Sequence, residues 1–121
     1  MRFSEAMTMT EGSDGRFTVT FDRSWWVVSG PNGGIIVALL VRAAQARLGT
    51  RKCVRTVTTH FLAAPTEGLA EIEVSVDRLG RVAGFATVRM LQDGRNIATA
   101  LVATAELPSS LHEWEQRRFP D

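Results

Sequence analysis

Hydrophobic and polar residues alternate along this chain with two different periods. "RFTVTF" at residues 16–21 sets Phe17, Val19 and Phe21 against Thr18 and Thr20, a period of two that predicts a strand with one buried face. "SGPNGG" follows, with turn-forming residues at every position. From Gly34 to about Leu48 the pattern predicts a helix that stops at Gly49. Residues 35–41, IIVALLV, are apolar without a break, and polar groups return only at Arg42, Gln45 and Arg47. The isoleucines and valines would also suit a buried strand, but the length and the AAQARL continuation favour a helix. A helix with no polar face at its start predicts enclosure by other structure.

The remainder predicts four consecutive strands, at 54–63, 70–79, 81–91 and 95–107. The second puts Ile72, Val74 and Val76 on one face and Glu71, Glu73, Ser75 and Asp77 on the other, as a half-buried antiparallel strand does. Asp93-Gly94 is a two-residue hairpin signal between the last two. The expected organisation is an N-terminal segment (1–15), one domain (16–107) and a polar tail or linker (108–121) with a capping-box-like Ser110–Glu113. A curled sheet around a buried helix leaves open edges, which proteins hide by pairing. The expected class is therefore α+β, a curved antiparallel sheet wrapped around one long helix, in a chain that dimerises.

Composition narrows the function. A length of 121 residues suits a single domain. The net charge of +1 gives no electrostatic case for nucleic acid or an anionic membrane. The apolar run at 35–41 is far too short to span a bilayer. Cys53 is alone, so no intrachain disulfide forms, and no secretory signal heads the chain; a cytoplasmic location is expected. His60 and His112 lie far apart and Cys53 has no cysteine partner, so no metal or other cofactor is expected.

Four motifs in order carry a resemblance: Trp26 with Gly30–Gly34 (GPNGG) entering the helix, His60–Pro65 (HFLAAP), Val76, Arg78, Gly80 and Arg81 (V-x-R-x-G-R), and Leu91–Gly94 (LQDG). Together they resemble the bacterial type II acyl-CoA thioesterases, whose chains hold two hotdog domains in tandem, and specifically the N-terminal half. The likeness covers roughly residues 16–107. It implies the hotdog fold, an acyl-CoA ligand in an apolar tunnel beside the helix and hydrolysis to free acid and CoA. It also implies a homodimer, a dimer of dimers or pairing with a second hotdog half.

The resemblance also implies roles for residues. Gly33 and Gly34 start the helix beside the thioester, and Asn32 stands where many relatives carry histidine. The physical basis for the glycines is independent of ancestry: unpaired N–H groups at a helix start stabilise a developing oxyanion, and glycine lets a ligand approach the backbone. In related active domains a carboxylate lies about two turns along the helix, with a Ser or Thr near the start of the next strand. Here those places hold Val41 and Val54. Two substitutes for the missing base are weighed: Asp22, after the first strand, and His60, which shares a strand face with Val54, Thr56 and Thr58 if no bulge intervenes. Each has a plainer reading, as a turn acid and a structural histidine. Gln45 reads as a surface amide and Cys53 as an inert thiol. Trp25 and Trp26 read as packing, and Arg78, Arg81, Arg89 and Arg95 as strand-end cations or a CoA phosphate site. Val57, Phe61 and Phe85 are expected to line the pocket beside GGIIVALL. Two function classes follow: a thioester hydrolase, its base supplied by a partner half or by Asp22 or His60, or a non-catalytic acyl/CoA-binding or structural half that completes a partner's site. A hotdog dehydratase fits less well, because the helix offers no acid.

Overall fold

Alternating strands and one long apolar helix assemble as the periodicity requires. The computed structural model describes residues 9–12, 15–22, 33–49 and 51–106. The described elements are β1 (Thr10–Glu11), β2 (Phe17–Phe21), α1 (Gly33–Leu48), β3 (Lys52–Phe61), β4 (Gly68–Leu79), β5 (Ala83–Gln92) and β6 (Arg95–Glu106). The strands form one antiparallel sheet in the order β1-β2-β4-β5-β6-β3, and α1 lies across β3 to β6. This is the α+β, helix-on-sheet arrangement expected. Strand ends differ from the sequence reading by one or two residues, and β1, polar throughout, gives no alternation to detect. The tail at 108–121 lies outside the described residues.

The core forms where the two periods meet. Ile36, Leu39, Leu40, Ala43, Ala44 and Leu48 are buried, a stripe of helical spacing. It meets the inward row of the central strands, including Ile72, Val88, Met90, Ala98, Ala100 and Val102. Each leucine, isoleucine, valine or methionine among them contributes about 1.5–3 kcal/mol on full burial. The helix is not enclosed on every side within this chain: Val37, Ala38 and Val41 remain half-buried. Asp93 and Gly94 both take positive φ, 53° and 77°, the two left-handed positions of the expected hairpin turn.

The far end of α1 is tied to the first hairpin by one side chain. Arg47 pairs with Glu11 at 3.0 Å, donates to the Gly15 carbonyl and stacks over the Phe17 ring at 5.1 Å. On the outer face, Arg16 bridges Glu71 at 2.8 Å and Glu73 at 2.6 Å, joining β2 to β4.

Candidate functional site

The helix begins in the open. Gly33 and Gly34 are exposed, whereas the body of α1 is largely covered. The ring of Phe61, at the end of β3, lies against Gly33: a Cβ there would sit 3.4 Å from the Phe61 Cζ. Gly33 does not adopt a left-handed φ. Asn32, Trp25 and Trp26 lie outside the described residues.

Register decides which β3 side chains accompany that ring. Val57, Thr59 and Phe61 pair with Val102, Ala100 and Ala98, all buried beneath the helix, so this row faces α1. Thr56, Thr58 and His60 pair with Ala103, Leu101 and Thr99 and face the opposite way. A bulge between Val54 and Thr56 breaks the alternation. Val54 pairs with Thr104 and packs against the core, so it does not share a face with His60. His60 stands across the sheet from the helix. Asp22 is exposed, directly after β2.

Phe85 is likewise on the outer face. Its neighbours Gly84 and Ala86 are buried, while Phe85 itself is 44% exposed opposite Ala103. Only Val57 and Phe61 of the three expected wall residues face α1. The arginines are dispersed: Arg78 and Arg81 flank the β4–β5 turn, Arg95 starts β6 after the β5–β6 turn, and Arg89 lies midway along β5. Gln45 is half-buried on α1. Cys53 is partly exposed, on the outer side opposite Ala105.

No carboxylate reaches the helix start from the described strands. On the helix-facing side their acids are Glu11, opposite Phe17, and Glu106, two residues beyond Thr104. Both belong to the far end, where Arg47 holds Glu11 and where Leu48 and Thr104 both approach Gly84. A 16-residue helix is ~24 Å long, so neither acid serves Gly33. The polar strand side chains nearer the middle on this side are Thr59 and Gln92, and Gln92 is committed to Thr66. Two grooves, of about 450 and 380 Å³, lie on the outer face and not beside the helix. The first is lined by Arg16, Glu73, Ser75, Asp77, Thr87 and Arg89. No group of His, Cys, Asp or Glu among the described residues fits a metal ion, and no described helix is long and apolar enough to cross a membrane.

A family model, the acyl-CoA thioesterase N-terminal domain, matches residues 22–105, which hold the glycine-headed helix and β3 to β6 up to Ala105. The chain belongs to the acyl-CoA thioesterase family. Among solved structures, this thioesterase domain is similar to a thioesterase II candidate of Thermobifida fusca, with 30% identity and a TM-score of 0.81 over 88% of this chain and 40% of that one. A hotdog-fold protein of Alicyclobacillus acidocaldarius matches at 26% identity and a TM-score of 0.78, over 89% of this chain and 40% of that one. The thioesterase domain thus spans about two-fifths of the length of both. A Bacillus halodurans protein solved with CoA shares the fold at 17% identity, with a TM-score of 0.71 over 86% of this chain and 76% of that one. No curated protein matches the sequence. The hotdog fold implied by the four motifs is the fold observed. Sequence reading did not weigh Thr59, although it alternates with Val57 and Phe61, the two β3 residues expected in the pocket.

Proposed function

We propose that this domain binds acyl-CoA with its thioester at the start of α1, and that hydrolysis to free acid and CoA takes its base from a second hotdog half. One observation carries the binding role. Gly33 has no left-handed φ and a Cβ would fit against Phe61 at ordinary contact distance, so neither conformation nor packing among the described residues asks for glycine there. What remains is access. A bare, exposed backbone lets a thioester carbonyl approach the Gly33 N–H, with Gly34 and Asn32 beside it. That N–H stabilises the oxyanion formed when water attacks the carbonyl carbon and the C–S bond then breaks.

The base is the part the described residues do not provide near Gly33. Val41 carries no acid and His60 faces away, which leaves Asp22 of the two substitutes weighed from the sequence. General acid–base assistance is worth ~100- to 10,000-fold, so the domain alone is a binder and a slow hydrolase. The fold neighbour that holds CoA supports the ligand class, and the tandem relatives support the borrowed base. The setting that suits this chemistry is cytoplasmic lipid metabolism.

Assembly follows from two exposed features. β3 is a ten-residue strand with β6 as its neighbour on one side only, among the described residues. Val37, Ala38 and Val41 leave an apolar helix flank half-covered beside it. A second copy, or a second hotdog half, placed along β3 extends the sheet and covers that flank. Calorimetric titration with octanoyl-CoA and assay of thiol release test the site; binding with slow release is expected. Rapid release unaffected by Asp22→Asn would refute the borrowed base. Sedimentation at micromolar concentration is expected to give a dimer or a dimer of dimers, and a stable 13.3 kDa monomer refutes the assembly.

A further inference from the structure

The helix-facing row of β3 contains one polar side chain between two apolar ones. Thr59 Oγ1 is buried and has no hydrogen-bond partner. Leaving a buried hydroxyl unpaired costs about 1–3 kcal/mol, and valine would fill the same volume without that cost. Two other buried oxygens are unpaired among the described residues, but both are placed elsewhere. Thr104 Oγ1 lies at the far end of α1, 3.1 Å from where a Gly84 Cβ would stand. Asn96 Oδ1 belongs to the outer face, where the Asn96 amide nitrogen donates to Thr99 Oγ1 at 3.0 Å. Thr59 alone of the three lies on the approach from the helix start.

Its distance from that start decides what it meets. Thr59 precedes Phe61 by two residues, a strand rise of roughly 7 Å. The Phe61 ring stands 3.4 Å from where a Gly33 Cβ would be. With the thioester carbonyl at Gly33, as proposed above, Thr59 is too far along to share that oxygen. It lies instead beside the acyl chain. Chain atoms there are ordinarily methylenes, which leave the hydroxyl unpaired.

We propose that Thr59 selects acyl groups that carry an oxygen, a hydroxyl or a ketone, several carbons from the thioester. The hydroxyl donates to that oxygen, or accepts from it when it is an alcohol. Entry moves the Phe61 ring off Gly33, and Phe61, 54% exposed, has open space to move into. A site built to hydrogen-bond a ligand hydroxyl discriminates strongly against the analogue lacking it, because the site's own polar group is then stranded. The inference rests on the acyl-CoA reading of the site and adds the substrate class.

The test uses the full chain, Thr59→Val and Thr59→Ser, with octanoyl-CoA and a series of hydroxyoctanoyl-CoAs carrying the hydroxyl at successive carbons. Calorimetry is expected to show one hydroxyl position bound at least about tenfold more tightly than octanoyl-CoA. That preference disappears in Thr59→Val and survives in Thr59→Ser. Thr59→Val also melts at the same or a higher temperature, since an unpaired hydroxyl has been removed. No preferred position, or a preference that persists in Thr59→Val, overturns the proposal. So does a lower melting temperature or an altered sedimentation coefficient in Thr59→Val, which assigns the hydroxyl a structural partner. Failure of wild type to bind any of these thioesters overturns the acyl-CoA reading as well.

Discussion

Phe61 faces Gly33 where the edge strand ends and the helix begins, across a gap that one more carbon would fill. A Cβ at residue 33 would be 3.4, 3.7 and 4.0 Å from the nearest ring atoms of Phe61. Gly33→Ala should therefore fold as well as wild type, or slightly better, because alanine is the stronger helix former by up to about 1 kcal/mol. Acyl-CoA affinity should nevertheless fall, and fall further in Gly33→Val, whose branches crowd the backbone a ligand must reach. Melting temperature and dissociation constant, measured on the same samples, separate the effects. If Gly33→Ala binds octanoyl-CoA normally, the backbone is not part of the site.

The sequence was most informative where a single period ran undisturbed. β2, α1 and β4 are legible because burial on one face leaves a repeating mark on the residues. The Asp93-Gly94 hairpin is legible because few residues tolerate its dihedrals. Legibility fails at the bulge between Val54 and Thr56, where one extra residue exchanges the faces of everything counted from the wrong side. His60 was assigned a face shared with Val54 only on condition of no bulge. Phe85 misled differently: an aromatic reads as core, yet its alternation with Gly84 and Ala86 sets it outside.

Gln92 shows a polar residue acting as a structural staple. It is 3% exposed; its Oε1 accepts from the Thr66 amide at 2.7 Å and the Thr66 hydroxyl at 3.2 Å, and its Nε2 donates to the Thr66 carbonyl at 2.7 Å. These bonds pin the β3–β4 connection to the end of β5. Gln92→Leu keeps the bulk and strands the backbone groups of Thr66. A loss of about 2–3 kcal/mol is expected in urea unfolding. Octanoyl-CoA affinity should fall as well, since the connection that holds Thr66 starts directly after Phe61.

Arg47 gathers three weak contacts at one place. The ion pair with Glu11 is partly exposed and worth under about 1 kcal/mol by itself. The bond to the Gly15 carbonyl, the stacking on Phe17 and the favourable charge in the last helical turn add to it. Arg47→Ala should cost about 1–2 kcal/mol and loosen the β1–β2 hairpin first. Faster amide hydrogen exchange at Thr10, Glu11 and Thr18 than in β5 would show it. Uniform acceleration across the sheet would mean that Arg47 supports the whole fold.

Val41 offers the sharpest test of why the domain should hydrolyse slowly. It is half-buried on α1, at the position where the family resemblance places a carboxylate in active domains. Val41→Asp supplies a base without altering Gly33. If the missing base is what limits turnover, thiol release from octanoyl-CoA should rise by up to ~100-fold over wild type, the lower end of what general-base assistance provides. Stability should fall by about 1–3 kcal/mol, because a half-covered apolar site receives a charge. Val41→Asn is the control: it brings similar size and polarity, and a similar disturbance of packing, but cannot take a proton from water. A gain in Asp absent from Asn assigns the increase to proton transfer. Equal rates in the two variants would show that the carboxylate position carries no chemistry in this half, and that turnover requires the partner's own helix as well as its base.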